Sequence, residues 1–106
     1  MNVQKVIDYF IEHEGKYLVV EEKVKLVEAF CDIGLLHLIF EYNEQRLIIP
    51  MSINFNHFIM EVPENLFSTE VTYIDNTKTL ASVLTLILNN WIKRTEYSVP
   101  LVWSEE

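Results

Sequence analysis

The side chains that could act as a catalytic nucleophile and its base are few in this chain. Cys31 is the single thiol, and the three imidazoles are His13, His37 and His57. Nucleophilic catalysis needs a nucleophile held within hydrogen-bond reach of a base, and nothing in the spacing of these residues favours such a pair. Cys31 falls on the apolar side of a predicted helix, where a thiol stays protonated and unreactive. The sequence therefore predicts no catalytic residue.

Metal and cofactor sites are equally unsupported by the spacing. Zinc ligands on one helix or in tight pairs read His-x-x-x-His or Cys-x-x-Cys, and neither pattern occurs. The two glycines, Gly15 and Gly34, are too few to build a phosphate-binding loop. We therefore predict no metal site and no cofactor. A small enzyme of unknown chemistry is the least favoured function.

The strongest chemical signal is negative charge in the middle of the chain. The protein carries a formal net charge of −8, and residues 36–75 hold six acids against one base, Arg46. Binding to nucleic acid or to an anionic membrane needs clustered Lys and Arg, so no direct contact with either is expected. An acidic surface suits a basic protein partner instead.

The predicted partner-binding residues are the acids of this segment and one neighbouring aromatic: Glu41, Tyr42, Glu44, Glu61, Glu64, Glu70 and Asp75. Aromatic rings rimmed by carboxylates resemble a protein-binding hot spot. Tyr42, Phe55, Tyr97 and Trp103 lie near predicted turns or near the end of the chain, where a ring is often left exposed. We expect these acids to line the outer face of a sheet whose inner face is apolar.

Two apolar stripes predict helices at the two ends of the chain. Residues 3–11 repeat apolar side chains at helical spacing, with Asn2 as the N-cap and Gly15 as the stop. Residues 80–92 repeat the same pattern for more than three turns, which predicts an amphipathic helix over about 78–94, capped by Thr77 or Asp75 and packed on the sheet.

Residues 16–33 allow two interpretations. Lys16 to Val20 reads as a short strand. From Glu21 to Gly34 the apolar residues fit a period near 3.6, which favours a second N-terminal helix. The alternative is one longer strand that continues from Lys16.

Residues 36–74 read as β-structure. Four segments rich in β-branched and aromatic residues predict a four-stranded, mainly antiparallel sheet. Pro50 lacks an amide donor, so its strand should be at an edge or a bulge there. Tyr97 to Trp103 has the alternation of a short final edge strand. The predicted fold is α+β, in one compact domain over residues 1–106.

The composition also bears on the compartment. A single cysteine fits a reducing environment, the first residues lack the apolar run of a signal peptide, and no segment is long and apolar enough to span a membrane. We expect a cytoplasmic protein.

In size, acidity and α+β character the chain resembles small bacterial immunity proteins, which neutralise toxins. The resemblance implies a non-enzymatic inhibitor that occludes a basic toxin, for instance a nuclease. The alternative is a small acidic secretion-type chaperone, which the chain resembles in charge and in its final amphipathic helix. A chaperone of this type acts as a dimer, and the Leu80 to Ile92 stripe would then be partly a dimer seam. A homodimer is therefore possible.

Overall fold

The computed structural model describes residues 1–63, 69–93 and 98–106. Within these ranges the chain forms two helices and seven strands, so the predicted α+β class is confirmed. The elements in chain order are α1 (Val3–Glu12), β1 (Tyr17–Val19), β2 (Lys23–Asp32), β3 (Leu35–Tyr42), β4 (Gln45–Asn54), β5 (His57–Pro63), β6 (Thr69–Ile74), α2 (Thr77–Lys93) and β7 (Trp103–Ser104).

The strands form one antiparallel sheet in the order β6-β5-β4-β3-β2-β1-β7. Strands β1 to β6 are a meander in which each strand lies beside its neighbour in the chain, and β7 pairs with β1 at the other edge. The predicted number of four strands is wrong. The four predicted strands correspond to β3 to β6, and the short strand expected over Lys16 to Val20 contains β1, but β2 was not favoured as a strand. The final edge strand was expected over Tyr97 to Trp103, whereas β7 covers Trp103–Ser104 and Tyr97 lies outside the described residues.

The predicted helix from Glu21 to Gly34 is also wrong, because this segment contains β2. Val24 and Leu26 are buried in strand alternation, and then a β-bulge between Leu26 and Glu28 shifts the register, after which Ala29 is the buried residue. The extra residue at the bulge increases the spacing between buried residues from two to three at that point. The apolar residues of this segment therefore recur at intervals close to those of a helix. The strand alternative was closer, although β1 and β2 are separate strands.

Both terminal helices were located correctly. The Lys5 amide donates to Oδ1 of Asn2, the expected N-cap of α1. Helix α2 begins one residue before the predicted start, and its cap is Asn76, whose Oδ1 accepts from the Thr79 amide at 2.8 Å. The predicted caps, Thr77 and Asp75, are the residues on either side of it.

The core lies between one face of the sheet and the two helices. Phe10 of α1, Leu84 and Leu88 of α2, and Leu38 and Met51 of the sheet are all fully buried in one cluster. Helix α2 therefore packs on the sheet as predicted, and both helices lie on the same side of it. The opposite side of the sheet receives neither helix.

Pro50 lies in β4, an interior strand, where a missing amide donor would normally cost a ladder hydrogen bond. It pairs with His37 of β3 on one side. On the other side β4 pairs with β5 only from Ser52 to Asn54. The predicted edge strand is therefore wrong, since β4 is interior, although Pro50 itself lies outside the residues of β4 that pair with β5.

Candidate docking surface

The strand register divides the sheet into a covered face and an open face. Leu38 of β3 and Ile49 of β4 are cross-strand neighbours, and both are buried towards the helices. Successive strand residues point to opposite faces, so the neighbouring pair Ile39 and Ile48 lies on the other face. Ile48 is 58% exposed. We call this open side of the sheet the outer face.

The centre of the outer face is apolar. By register, its apolar side chains are Phe30, Leu35, Ile39, Ile48, Pro50, Ile59, Val71 and Tyr73. Val71 and Tyr73, on the edge strand β6, are 65% and 58% exposed. The imidazole of His37 stacks on Phe30 with 4.8 Å between ring centroids, which extends the flat surface across β2 and β3.

Charges on the outer face nearly cancel. Among the described strand residues, the register assigns it three bases and four acids, namely Lys23, Lys25, Arg46, Glu28, Asp32, Glu41 and Glu61. Its formal charge is therefore about −1, counted from those residues, whereas the whole chain carries −8. Arg46 Nε lies 3.1 Å from Glu41 Oε2, which neutralises one of the acids. The expected acidic outer face is thus wrong: of the predicted acids with a described position, Glu41 and Glu61 lie on it, Glu70 lies on the opposite face, and Glu44 and Asp75 lie between elements.

The other predicted partner-binding residues do not converge on one surface. Tyr42 points to the covered side, where its hydroxyl donates to Glu22 and its ring lies 6.3 Å from Trp91. Glu44 lies in the β3–β4 turn. Glu70 is exposed on β6, on the face opposite to that of Glu61.

Of the last two predicted acids, the structure describes one. Asp75 is exposed in the connection between β6 and α2, next to the α2 cap. Glu64 lies outside the described residues. The described acids are therefore distributed around the perimeter of the sheet, and their role in binding remains a prediction.

Two neighbouring turns at one end of the sheet expose large apolar side chains. Ile33, in the β2–β3 turn, is 92% exposed, and Phe55, in the β4–β5 turn, is 94% exposed. The two turns are adjacent, since the Ile53 amide donates to the Gly34 carbonyl at 2.8 Å. Phe55 was among the rings that the sequence predicted to be exposed, whereas Ile33 was missed.

Both turn residues have an unfavourable backbone conformation. Ile33 has φ of 48° and Phe55 has φ of 54°, in the left-handed region that favours glycine and asparagine. A β-branched residue is an outlier there because its side chain crowds the backbone. Exposed apolar residues under strain are uncommon without a functional reason. These two turn tips are therefore candidate contacts that extend the outer face.

A buried histidine fixes the orientation of Tyr73. The rings of His57 and Tyr73 stack with centroids 3.9 Å apart, and the tyrosine hydroxyl lies 3.1 Å from Nδ1 of His57. His57 is only 7% exposed, although it directly follows the β4–β5 turn as the first residue of β5. Its Nε2 is buried without a hydrogen-bond partner among the described residues. Tyr73 thus presents a preoriented aromatic surface, of the kind that dominates binding hot spots.

The thiol is not where the sequence placed it. Cys31 lies in β2 and is exposed, and partial desolvation raises its pKa above the ordinary value. Cys31 pairs with Leu36, whereas His37 pairs with Phe30. Adjacent strand residues point to opposite faces, so Cys31 and His37 lie on opposite sides of the sheet. They do not form a nucleophile and base pair.

Other features of the described residues add little chemistry. A cavity of about 640 Å³ lies between α1 and the start of α2, with an apolar lining that includes Tyr9 and Leu80, and with Lys5 and Asp75 beside it. Among the residues with a described position, no three His, Cys, Asp or Glu side chains are grouped so that they could hold a metal ion. In the same part of the chain, neither helix has the length and hydropathy needed to cross a bilayer.

No family model, curated protein or solved structure matches the sequence.

Proposed function

We propose that the protein is a non-enzymatic binding module of the immunity or antitoxin type, which inhibits a basic protein by docking it on the outer face. The observation that carries the proposal is the open apolar centre of this face around Ile48. Soluble monomers rarely expose a contiguous apolar surface of this extent unless it binds something. Its apolar centre lies on β3 to β6, its charges lie along β2 and towards the strand ends, and Tyr73 is oriented on it by His57, which is similar to the anatomy of a protein interface.

The proposed partner is basic because the rest of the chain is strongly acidic. With a formal net charge of −8, the protein attracts cationic surfaces over several ångströms and repels nucleic acid. In this mechanism the perimeter acids, including Glu44 and Glu70, steer the encounter, and the apolar centre supplies the short-range binding energy. A toxin nuclease whose basic cleft is covered in this way would be cut off from its substrate.

The chaperone hypothesis needs a different surface from the one that the α2 stripe predicted. Leu80 is 2% exposed, and Leu84 and Leu88 are fully buried against the sheet. The centre of that stripe is therefore core and is not free to form a dimer seam. The outer face is the exposed apolar surface that a chaperone would use instead, so the same surface serves either hypothesis.

The test is inhibition of a basic nuclease with matched surface variants. The probes are the purified product of the adjoining gene and a panel of purified basic ribonucleases and deoxyribonucleases. Nuclease activity is measured while the protein is titrated. We expect one of these enzymes to lose activity at an equimolar ratio. We expect Ile48→Lys to weaken that inhibition by at least about tenfold, because a charge then replaces the apolar centre of the interface.

Ile11→Lys is the control, because Ile11 is 44% exposed on α1 and adds the same charge away from the sheet. It should inhibit like the wild type. Equal losses from both variants would show that only net charge matters. Full activity of every probe at saturating protein would refute the inhibitor proposal.

A further inference from the structure

We infer that two copies of this chain pack outer face against outer face, so that the free protein is a symmetric dimer that masks its own docking surface. This inference rests on the proposed function, because the second copy would cover the same surface that docks the partner. The partner would then have to displace the second copy. It is supported by the area of the face, by the position of its apolar centre and by the arrangement of charge along β2.

The area is sufficient for a specific dimer. Five strands, β2 to β6, at about 4.8 Å spacing and the eight residues of β3 at about 3.4 Å rise give a footprint of roughly 650 Å². Two such faces bury roughly 1,300 Å² together, above the ~1,000 Å² expected of a biological interface.

The charges of the outer face on β2 are separated along the strand. The bases Lys23 and Lys25 come first, and the acids Glu28 and Asp32 follow. Lys23 is exposed, and its amine contacts only the main-chain carbonyl of Glu106 among the hydrogen bonds of the described residues. When two β2 strands cross in opposite directions about their midpoint, Lys23 of each copy therefore meets Asp32 of the other.

This arrangement specifies the symmetry axis. A two-fold axis that lies between the sheets and perpendicular to the strands stacks β2 on β2 in opposite directions, with Lys23 near Asp32 of the second copy. An isologous interface requires this kind of self-complementarity. Ile39 and Ile48, near the middle of β3 and β4, then lie close to the axis. Apolar residues of β3 and β4 thus meet at the centre, and along β2 the two Lys23–Asp32 pairs lie on either side of the two Glu28 side chains, which are opposite Ile39.

The near-neutral face also removes the electrostatic obstacle to self-association. Two chains of charge −8 repel each other, and an acidic interface would add to that repulsion at short range. Here the facing surfaces carry about −1 each, and the opposed ends of β2 attract. Among the described parts of the surface, the outer face is thus well suited to a second copy.

The test is sedimentation velocity with light scattering on the purified full chain, without any partner, from about 1 to 200 μM. We expect a dimer of twice the 12.6 kDa chain mass. Ile48→Lys should raise the dissociation constant at least roughly a hundredfold, because two like charges then face each other near the axis. Ile11→Lys on α1 should remain dimeric. A wild type that is monomeric throughout this range would overturn the inference, as would a dimer indifferent to Ile48→Lys.

A charge exchange tests the orientation with substitutions that do not threaten the fold. Lys23→Glu and Asp32→Lys should each weaken the dimer by roughly tenfold, and the double variant should recover most of the affinity. Additive losses in the double variant would refute the proposed axis. The sedimentation experiment contains no partner, so a wild type that stays monomeric would overturn the dimer and leave the inhibition assay unaffected. A protein that dimerises but inhibits no nuclease would contradict the proposed function and not the dimer.

Discussion

Replacing Ile33 by Asn should make the protein more stable. Ile33 is the first of two turn residues with positive φ, at 48°, followed by Gly34 at 73°. This pattern is that of a type I′ hairpin turn, for which Asn-Gly is the preferred pair. An L-residue in the left-handed region loses about 1–2 kcal/mol, and asparagine tolerates that region better than a β-branched residue.

The size of the effect follows from the exposure of Ile33. Since its side chain is 92% exposed, the substitution sacrifices almost no buried apolar area. The gain should therefore be about 1 kcal/mol in the free energy of unfolding, or a rise in Tm of roughly 4–8 °C for a domain near this size. Urea denaturation followed by circular dichroism measures the first, and calorimetry measures the second.

Two controls use the same type of turn. Ile33→Val keeps the β-branched side chain and should leave stability within about 0.5 kcal/mol of wild type. Asn43 has φ of 53° in the β3–β4 turn, and Asn43→Ile should lose about as much stability as Ile33→Asn gains. An Ile33→Asn variant no more stable than Ile33→Val would show that the turn is not strained, and the functional argument drawn from that strain would fail.

Three further predictions concern the core and the thiol. Leu84→Ala removes a fully buried side chain of α2 and should cost about 2–5 kcal/mol of unfolding free energy in urea denaturation; a variant as stable as wild type would refute the described packing. Thr85→Val leaves the Val99 amide without its 3.0 Å acceptor and should lower the free energy of unfolding by about 1–3 kcal/mol. Hydrogen exchange of the Val99 amide should become faster, and unchanged exchange would contradict this hydrogen bond. Because Cys31 is exposed and its pKa is raised, a thiol reagent should label it in the native protein, with a rate that increases through a midpoint above the ordinary thiol range; protection at high pH would show that it is buried.

The helices could be predicted because their signals are local. The stripe over residues 80–92 and the Asn2 cap each depend on a few neighbouring residues, and α1 and α2 were found almost at the expected bounds. The cap of α2 was missed by one position, because Asp75, Asn76 and Thr77 are all acceptable caps and only the backbone distinguishes them.

The β2 segment and the outer face could not be predicted in the same way. The bulge at Val27 is set by pairing with β3, which is a long-range contact that sequence periodicity does not contain. The character of the outer face depends on register, since a shift of one residue transfers every side chain to the other side. The count of acids in residues 36–75 was correct, but the count does not say which of them share a face.

Strain in the turn and the apolar surface are independent observations that favour the same kind of function. If stability alone had set the sequence, Ile33 would be asparagine and Ile48 would be polar, since each substitution is compatible with the backbone at that position. An apolar residue on an open strand face and another at an unfavourable φ both oppose solubility or stability. A surface that binds a partner, or a second copy, accounts for both, because the apolar area is then buried in the complex. Comparing Ile33→Asn and Ile48→Thr in stability and in dimerisation separates the two effects: we expect the first to stabilise the fold, and the second to weaken the dimer without unfolding the monomer.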